Sequence, residues 1–284
     1  MSRPKPRKER LDTLLVSREL CPSRNVAQRL IRAGEVKVNQ NRIDKPGTLI
    51  PCDAEIELAK KPPFVSRGGE KLAQALQAFE ITVTQRVCLD GGISTGGFTD
   101  CLLQAGASQV YGIDVGYGQV AWSLRQDPRV ILWERTNFRH LTASRLYGET
   151  PTSHWATLGV MDVSFISLTK LLPTLWQLLA SPKEVVLLVK PQFEVGRDKI
   201  GKKGVVRDPK IQAEAIQQVW QSAQIIGWQF QGLTASPITG PAGNHEFLLW
   251  LTDVSQKPSV TWETMLQVTS HVLTKNPSDS DNQS

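Results

Sequence analysis

Residues 88–100 read Cys88-Leu-Asp90-Gly-Gly-Ile-Ser94-Thr-Gly-Gly97-Phe-Thr-Asp100. An apolar run ends on an acid and opens into a glycine-rich turn, after which a helical pattern begins. A strand that ends in such a turn is typical of the nucleoside-binding edge of a doubly wound sheet, although glycine-rich loops also serve as plain connections. The stretch predicts an α/β fold with a cofactor at the carboxyl ends of its strands.

The spacing of the glycines distinguishes between classes of nucleotide loop. A dinucleotide loop would place Ser94 where the second glycine of Gly-x-Gly-x-x-Gly admits a pyrophosphate. What remains is acid-x-Gly-x-Ser-x-Gly from Asp90 to Gly96, which resembles the S-adenosylmethionine loop of Rossmann-like methyltransferases. The next apolar strand ends on Asp114, where a carboxylate can accept ribose hydroxyls. An adenosine-type cofactor is therefore expected.

Apolar runs recur through the rest of the chain, with helical patterns between most of them. The predicted strands are Arg86–Asp90, Gln109–Asp114, Val130–Trp133, Thr157–Val163, Glu184–Lys190, Gln229–Leu233 and Phe247–Thr252. This alternation predicts a mostly parallel seven-stranded sheet with helices on both faces. Because no helical pattern separates the last two strands, an antiparallel strand is expected at the edge of the sheet.

Composition and charge indicate two domains. A chain of 284 residues with 40% hydrophobic residues can bury one large core and one smaller core. The formal net charge is +6, and residues before Lys61 carry most of the excess. A basic N-terminal module indicates a polyanionic partner.

Several classes of protein are disfavoured. The four cysteines have no Cys-x-x-Cys spacing and the four histidines are scattered, so we expect neither disulfides nor a metal site. No apolar stretch approaches the roughly 20 residues of a membrane span, and the basic start has no apolar signal region. We therefore expect a cytoplasmic protein without a membrane partner.

The N-terminal region resembles a known RNA-binding module. Its order is Arg10-Leu-Asp followed by Ser23-Arg-x-x-Ala-x-x-Leu-Ile-x-x-Gly-x-Val-x-Val-Asn39. This order resembles the alpha-L domain, named after the fourth protein of the small ribosomal subunit, and implies a small α+β domain whose second helix has a basic face. The RNA-binding residues expected here are Arg10, Ser23, Arg24, Gln28, Arg29, Arg32 and Lys37. Taken alone, the same basic residues also fit a solvated helix surface.

Four more stretches complete a family pattern. They are Gly68-Gly-Glu-Lys71, Met161-Asp162-Val-Ser-Phe165, Leu188-Val-Lys190-Pro-Gln-Phe-Glu194 and Asn244-His-Glu246-Phe. With the glycine loop, Asp114 and Glu134-Arg-Thr-Asn137, they resemble the TlyA family over nearly all of residues 9–253. That family joins an alpha-L module to an FtsJ-type ribose 2′-O-methyltransferase domain.

The resemblance implies a function, a cofactor and a set of site residues. The expected reaction is S-adenosylmethionine-dependent methylation of ribosomal RNA, favouring cytidines, with ribosomal RNA or ribosomal subunits as the partner. The implied catalytic residues are Lys71, Asp162, Lys190 and Glu246. The implied cofactor-binding residues are Asp90, Gly92, Ser94, Thr95, Gly96, Gly97, Asp114, Asn137 and Asp162.

The chemistry of methyl transfer to a hydroxyl fits those catalytic residue types. The hydroxyl must lose its proton and lie in line with the leaving sulfur. A lysine can take that proton only when burial or a second ammonium group disfavours its charged form. Lys190 at the end of a strand is the expected base, with Asp162 orienting it and Glu246 holding Lys71. Taken singly, each residue also fits a solvated lysine or a helix cap.

The loop after Lys190 and the domain boundaries complete the expectations. Residues 196–207 are basic and punctuated by glycine, which fits either a mobile lid that meets RNA or a disordered surface loop. Further RNA contacts are expected from Arg67, Arg197, Lys202 and Lys203. The expected segments are a basic tail at 1–8, the alpha-L domain at 9–60, a linker at 61–65, the methyltransferase domain at 66–254, and a C-terminal tail at 255–284 with a disordered end.

Other functions remain open on the residues alone. A base methyltransferase commonly has an Asn/Asp-Pro-Pro-Tyr/Phe element or a catalytic cysteine after the fourth strand, and Met161-Asp-Val-Ser-Phe165 has neither. A non-catalytic RNA-binding or ribosome assembly factor would retain the glycine loop as a scaffold only. Members of the resembling family were historically labelled haemolysins, but the chain lacks strongly amphipathic basic segments, so that label is expected to be one of name only.

Overall fold

Two units, residues 1–61 and 62–284, make up this computed structural model, which describes residues 7–59, 62–254 and 258–274. The smaller unit has α+β structure. Its elements are β1 Lys8–Arg10, α1 Leu11–Ser17, α2 Arg24–Arg32, β2 Val36–Val38, β3 Asn41–Arg42, β4 Leu49–Pro51 and β5 Ile56–Leu58. Strand β2 pairs antiparallel with β3 and β5, and β1 pairs antiparallel with β4.

The two short helices of the small unit pack through leucine, isoleucine and alanine at helical spacing. Leu11 and Leu15 of α1 and Ala27 and Ile31 of α2 are fully buried in one cluster with β2. The spacing of three and four residues places these side chains on one face of each helix. The opposite face of α2 is left to solvent.

The larger unit contains the remaining helices and strands. Its elements are α3 Gly68–Ala78, β6 Val87–Gly91, α4 Gly97–Gln104, β7 Gln109–Ile113, α5 Trp122–Arg125, β8 Val130–Trp133, α6 Ala143–Tyr147, β9 Leu158–Met161, α7 Leu172–Leu178, β10 Glu184–Val189, α8 Pro191–Glu194, α9 Pro209–Ile226, β11 Gln229–Ala235, β12 Phe247–Thr252 and α10 Trp262–Thr274. Single 3-10 turns lie at Phe138–His140, Thr152–His154, Leu168–Lys170, Arg197–Lys199 and Lys202–Gly204.

Seven strands form one sheet in the order β11-β12-β10-β9-β6-β7-β8. Strands β6 to β10 pair parallel with their neighbours, whereas β12 runs antiparallel to both β10 and β11. The prediction of a mostly parallel seven-stranded sheet is confirmed. The antiparallel strand lies one place in from the edge.

The sheet is buried on both faces, which explains the continuous apolar runs in the sequence. On β6 and β10, Leu89 and Leu187 enter one hydrophobic cluster, while the preceding Cys88 and Val186 enter the cluster on the other face. Successive side chains of a strand point to opposite faces, so both faces need apolar residues when helices cover both. The carboxyl ends of the parallel strands all lie at the same edge of the sheet.

The structure differs from the expected segment boundaries in three places. Lys8 already belongs to strand β1 and not to a tail. Residues 63–65, expected in the linker, are bound to the large unit, since Asp100 accepts a hydrogen bond from the Val65 backbone N–H. The expected tail contains helix α10, whose Met265 and Thr269 are buried against the large unit. The expectation of disorder beyond Asn276 falls outside the described residues.

Candidate active site

The glycine loop requires glycine at Gly92 for both conformation and space. Its φ is +85°, in the left-handed region, and a Cβ atom there would lie 2.5 Å from the carbonyl oxygen of Asp162. The Gly92 N–H donates to the carbonyl of Ile113, 2.8 Å away on the neighbouring strand. The loop is thereby folded tightly over the ends of β6, β7 and β9.

The carboxylate of Asp114 fixes this loop and retains acceptor capacity. Its Oδ2 accepts from the backbone N–H of Ser94 at 2.8 Å, and its Oδ1 accepts from that of Gly116 at 2.7 Å. A carboxylate offers about four acceptor positions, so two are left for a ligand. Those positions suit a pair of hydroxyl groups.

A cavity of about 420 Å³ opens beside Asp114. Its walls combine apolar side chains, among them Ile113, Phe138 and Val163, with the polar groups of Asn137 and Asp114. A nucleoside has one flat apolar part and one hydroxylated part, so these residues fit an adenosine group. Asn137 also caps the following 3-10 turn by accepting from the Arg139 N–H.

Asp90 lies beneath the glycine loop. The carboxyl group is fully buried, and its Oδ2 accepts a hydrogen bond from the Thr99 hydroxyl at 2.6 Å. Burial raises the pKa of Asp90 to about 7. Its Oδ1 has no partner among the described residues. Asp90 therefore links the end of β6 to α4 through Thr99.

The first of two ion pairs joins α3 to the residue that precedes β12. The Lys71 ammonium lies 2.5 Å from Glu246 Oε2, and both side chains are almost fully buried. Lys71 stands in the first turn of α3, whereas Glu246 immediately precedes β12. A Cβ atom on Gly240 would lie 2.7 Å from Glu246 Oε1, so the glycine leaves room for this carboxylate.

The second ion pair joins two neighbouring parallel strands. Lys190 follows β10 and Asp162 follows β9, and the Lys190 Nζ lies 2.7 Å from Asp162 Oδ1. The same ammonium donates to the Ser164 hydroxyl at 2.9 Å. Two of its three protons thus have fixed acceptors.

A cavity of about 210 Å³ is lined by one residue of each ion pair. Lys71 and Asp162 both line it, as does the loop from Gly92 to Thr95. The first turns of α3 and α4 approach closely here, since a Cβ atom on Gly97 would lie 2.8 Å from the Gly69 nitrogen. We term this space the acceptor cavity.

Most of the expected cofactor residues line one of the two cavities. Gly92, Ser94 and Asp162 line both, Thr95 and Gly97 line the acceptor cavity, and Asp114 and Asn137 line the larger one. Asp90 and Gly96 line neither. Gly96 instead begins α4 with a φ of +98°, and a Cβ atom there would lie 2.2 Å from the Leu124 side chain.

Some residues of the site were not singled out by the sequence. Phe165 is 91% exposed at the rim of the larger cavity and has a φ of +66°. Glu194 is buried and accepts from the Ser167 hydroxyl and the Leu168 N–H, which holds the segment after Asp162 in place. Both residues could have been identified in the sequence from their positions within the Met-Asp-Val-Ser-Phe and Lys-Pro-Gln-Phe-Glu stretches.

The basic loop after α8 is attached to the site at one end. Asn244 Oδ1 accepts from the Val206 N–H and its Nδ2 donates to the Gly204 carbonyl, both at 2.9 Å. Val206 is buried, whereas Arg197, Lys202 and Lys203 are exposed. Residues 196–207 thus form a loop that Asn244 anchors at one end and that has an exposed basic surface, and its contact with RNA stays a prediction.

In the small unit, three of the expected RNA-binding residues have an internal partner. Arg10, Arg24 and Gln28 all donate to the buried carboxylate of Asp12, over distances of 2.8 to 3.0 Å. The hydrogen bonds from Arg10 hold the pKa of Asp12 well below its usual range. This buried acid, which the charge pattern did not reveal, joins α1 to α2.

The remaining expected RNA contacts of the small unit divide into two kinds. Ser23 caps α2 by accepting from the Val26 N–H, which is a structural role. Arg29, Arg32 and Lys37 are exposed. The basic residues of the small unit that are exposed and do not contact Asp12 are therefore fewer than the sequence predicted. In the large unit, Arg67 is exposed before α3 and lines the acceptor cavity.

The described residues contain neither a candidate metal cluster nor a candidate membrane-spanning helix. No group of three or more His, Cys, Asp and Glu side chains in these residues could hold a metal ion. None of the helices in the described part of the chain has the length and hydrophobicity needed to cross a membrane.

Comparison with known proteins agrees with this architecture. The FtsJ-like methyltransferase model matches residues 64–253, and the S4 domain model matches residues 9–55. The chain is 46% identical over 247 residues to the 16S/23S rRNA (cytidine-2′-O)-methyltransferase TlyA of Mycobacterium tuberculosis, which covers 86% of this chain and 90% of that protein.

Two further relatives extend the comparison. The Bacillus subtilis protein YqxC, provisionally named an rRNA methyltransferase, is 50% identical over 246 residues, covering 86% of each chain. A solved structure from Streptococcus thermophilus, provisionally named a hemolysin, superposes with a TM-score of 0.71 at 40% identity, covering 96% of this chain and 98% of that one. The chain belongs to the FtsJ-like methyltransferase family and carries an S4 domain before its methyltransferase domain.

Proposed function

We propose that this protein transfers a methyl group from S-adenosylmethionine to the ribose 2′-hydroxyl of a cytidine in ribosomal RNA. The observation that carries the proposal is the presence of two lysine–carboxylate contacts beside the glycine loop, the buried Lys71–Glu246 and the partly buried Asp162–Lys190. Relatives with named cytidine-2′-O-methyltransferase activity support the choice of acceptor. Because the proposed substrate is ribosomal, we place the reaction in the cytoplasm.

The larger cavity is the proposed cofactor site. Asp114 would accept the ribose hydroxyls of the cofactor with the two acceptor positions that its backbone contacts leave free. Ile113, Phe138 and Val163 would enclose the adenine, and the loop at Gly92 and Ser94 would lead the remainder of the cofactor to the acceptor cavity. When bound there, S-adenosylmethionine supplies a methyl group on a positively charged sulfur.

Lys190 is the proposed general base. Asp162 and Ser164 accept hydrogen bonds from its ammonium and fix its direction. To act as a base, Lys190 must react as the uncharged amine, whose lone pair can accept a proton. Lys190 would then take the proton of the 2′-hydroxyl, while Lys71, held by Glu246, would orient the hydroxyl and offset its developing negative charge.

Exposed basic residues on both units are the proposed RNA contacts. In the small unit these are Arg29, Arg32 and Lys37, whose charges are available to phosphates. The exposed part of the anchored loop, with Arg197, Lys202 and Lys203, would add contacts near the reacting ribose. Contacts of this type position the RNA and carry little sequence information.

The test is to map 2′-O-methylation in ribosomal RNA by mass spectrometry, in cells with and without this protein. We expect one or more cytidines to lose the modification in its absence and to regain it from the intact protein. Lys190→Ala, produced at the same level, should not restore it. Ribosomal RNA that is equally methylated in both strains, together with RNA binding by the purified protein, would instead support an assembly factor.

A further inference from the structure

A third concavity lies next to the acceptor cavity and has no part in the proposed reaction. It is a groove of about 930 Å³ bounded by α3, α10, β11 and the segment that follows β11. Arg67 and Gln74 line it from the side of α3, His245 from the start of β12, and Gln267 from α10. Its volume falls within the range of about 300–1,000 Å³ that small-molecule sites occupy.

The chemistry of the groove suits a ligand that is anionic at one point and apolar over much of its surface. No aspartate or glutamate is among the residues that line it, whereas Arg67 is exposed and brings a guanidinium group. Gln74 and Gln267 contribute amides, and Leu233 and Val268 contribute aliphatic surface. A nucleotide combines a phosphate, hydrogen-bonding edges and a flat base, so it matches each of these groups.

His245 adds a neutral polar group to the same wall. It is partly buried, and burial lowers its pKa from the ordinary value of 6.5. Near neutral pH its imidazole is therefore uncharged, with one nitrogen that donates and one that accepts a hydrogen bond. An uncharged imidazole can form a hydrogen bond with the edge of a base or stack on its face.

The groove and the acceptor cavity are adjacent because they share structural elements. Arg67 lines both spaces. On α3, Lys71 lines the acceptor cavity and Gln74 lines the groove. At the start of β12, Glu246 contacts Lys71 while the preceding His245 lines the groove. A polynucleotide that leaves the acceptor cavity past Arg67 would therefore enter the groove.

We propose that this groove, here termed the flanking groove, binds a nucleotide of the substrate RNA next to the one that is methylated, with Arg67 contacting the phosphate between them. The proposal rests on the proposed function, because it requires an RNA acceptor. It gives the enzyme a means of selecting RNA by the conformation of the strand beside the target. The ligand is a segment of RNA and not a free nucleotide.

Charge changes at one exposed position test the proposal. Gln267 is exposed on α10, so both Gln267→Glu and Gln267→Lys should fold normally. An acid in the groove repels a phosphate, so the KM for ribosomal subunits lacking the modification should rise roughly twofold to fivefold in Gln267→Glu but not in Gln267→Lys. The kcat and the cofactor affinity should not change. Gln218→Glu, at an exposed position of α9 that does not line the groove, is the matched control and should behave like the parent.

The outcomes separate this proposal from the one on which it rests. If the parent protein methylates ribosomal subunits and both Gln267 variants have its KM at low salt, the flanking groove is overturned and the proposed function stands. If the parent methylates no RNA, the proposed function fails and the groove fails with it. A KM increase of equal size in Gln218→Glu would likewise overturn the groove, since it would show a general effect of charge.

Crosslinking identifies the bound nucleotide directly. Once the methylated cytidine is mapped, a substrate RNA with 4-thiouridine at the neighbouring position can be irradiated with the intact protein. We expect crosslinked peptides that contain residues of 233–239 or 267–272, which border the groove. Crosslinks confined to other parts of the chain would overturn the proposal.

Discussion

Lys71 and Glu246 lie 175 positions apart in the chain and form a buried ion pair of 2.5 Å. Each charge has lost most of its water, so the pair as a whole contributes little net stability, but either partner alone would be strongly unfavourable. We therefore expect that substitutions of the two residues can restore stability without restoring activity.

Glu246→Leu should lower the free energy of unfolding by about 3–5 kcal/mol, because it leaves a buried ammonium without a partner. Adding Lys71→Met should recover most of that loss, since two apolar side chains then fill the site, while methyl transfer stays absent. Chemical denaturation and a methyl-transfer assay on both single variants and the double variant measure this. A double variant as unstable as Glu246→Leu would contradict the assignment of the cost to Lys71.

Lys190→Ala should reduce methyl transfer by at least the ~10²-fold typical of a positioned acid–base group, with little change in cofactor affinity. Lys190→Arg should be equally inactive, because a guanidinium keeps its charge and does not give up a proton in proteins. Single-turnover transfer and calorimetry with the cofactor are the measurements. Substantial transfer by Lys190→Arg would show that the residue acts through its charge alone.

Phe165 is expected to stack on an RNA base, because it is 91% exposed at the rim of the cavity beside Asp114 that is proposed to bind the cofactor. Phe165→Ala should raise the KM for RNA roughly 5- to 100-fold, the equivalent of losing one stacked base, while cofactor binding is unchanged. Phe165→Tyr should retain most of the affinity. The matched control is Ile225→Ala, since Ile225 is 88% exposed on α9. Equal effects at the two positions would argue against stacking.

Asp90 is expected to give a distinct pH dependence of stability. Burial raises the pKa of its carboxyl from an ordinary 3.8 to about 7, so between these values the folded state holds a proton that the unfolded chain releases. Stability should fall as pH rises through this window and level off above pH 7. Relative to Asp90→Asn, the parent should lose a few kcal/mol in unfolding free energy from pH 4 to pH 8. Parallel curves for the two proteins would exclude this titration.

Basic residues of α2 are expected to separate into two groups. Arg29→Ala with Arg32→Ala should flatten the salt dependence of RNA binding without loss of stability, because both side chains are exposed and each lost phosphate contact releases fewer counterions. Arg24→Ala should instead lower the melting temperature, since it removes a donor to the buried Asp12. Filter binding at several salt concentrations and thermal unfolding distinguish them. An unchanged salt slope in the double variant would remove this face from the RNA site.

The strands and the residues at their ends can be predicted from the sequence because both depend on residues that are close together in the chain. A strand covered on both faces needs an uninterrupted apolar run, and an acid or lysine directly after such a run falls at the edge of the sheet. Asp114 is located in this way, whereas the site roles of Asp162 and Lys190 are implied by the family resemblance. Glu246 precedes its strand, and it was identified through family resemblance.

The parts that the sequence did not reveal depend on contacts between distant residues. The convergence of Arg10, Arg24 and Gln28 on Asp12 requires the angle between two helices, which no spacing within one helix encodes. Helix α10 carries Met265 and Thr269 at helical spacing, but its short apolar stripe is stabilised only by packing against the large unit.

Strand β12, which runs antiparallel between β10 and β11, is the last strand of the sheet to be synthesised, and Glu246 of the proposed reaction centre directly precedes it. While a ribosome is still making the chain, β11 has no strand to pair with until residues 247–252 have emerged and inserted beside β10. Lys71, made early, stays without its partner for all that time. On the proposed mechanism, we therefore expect a nascent or truncated chain that ends before Glu246 to be unable to methylate RNA, so that activity begins only after this segment has been made.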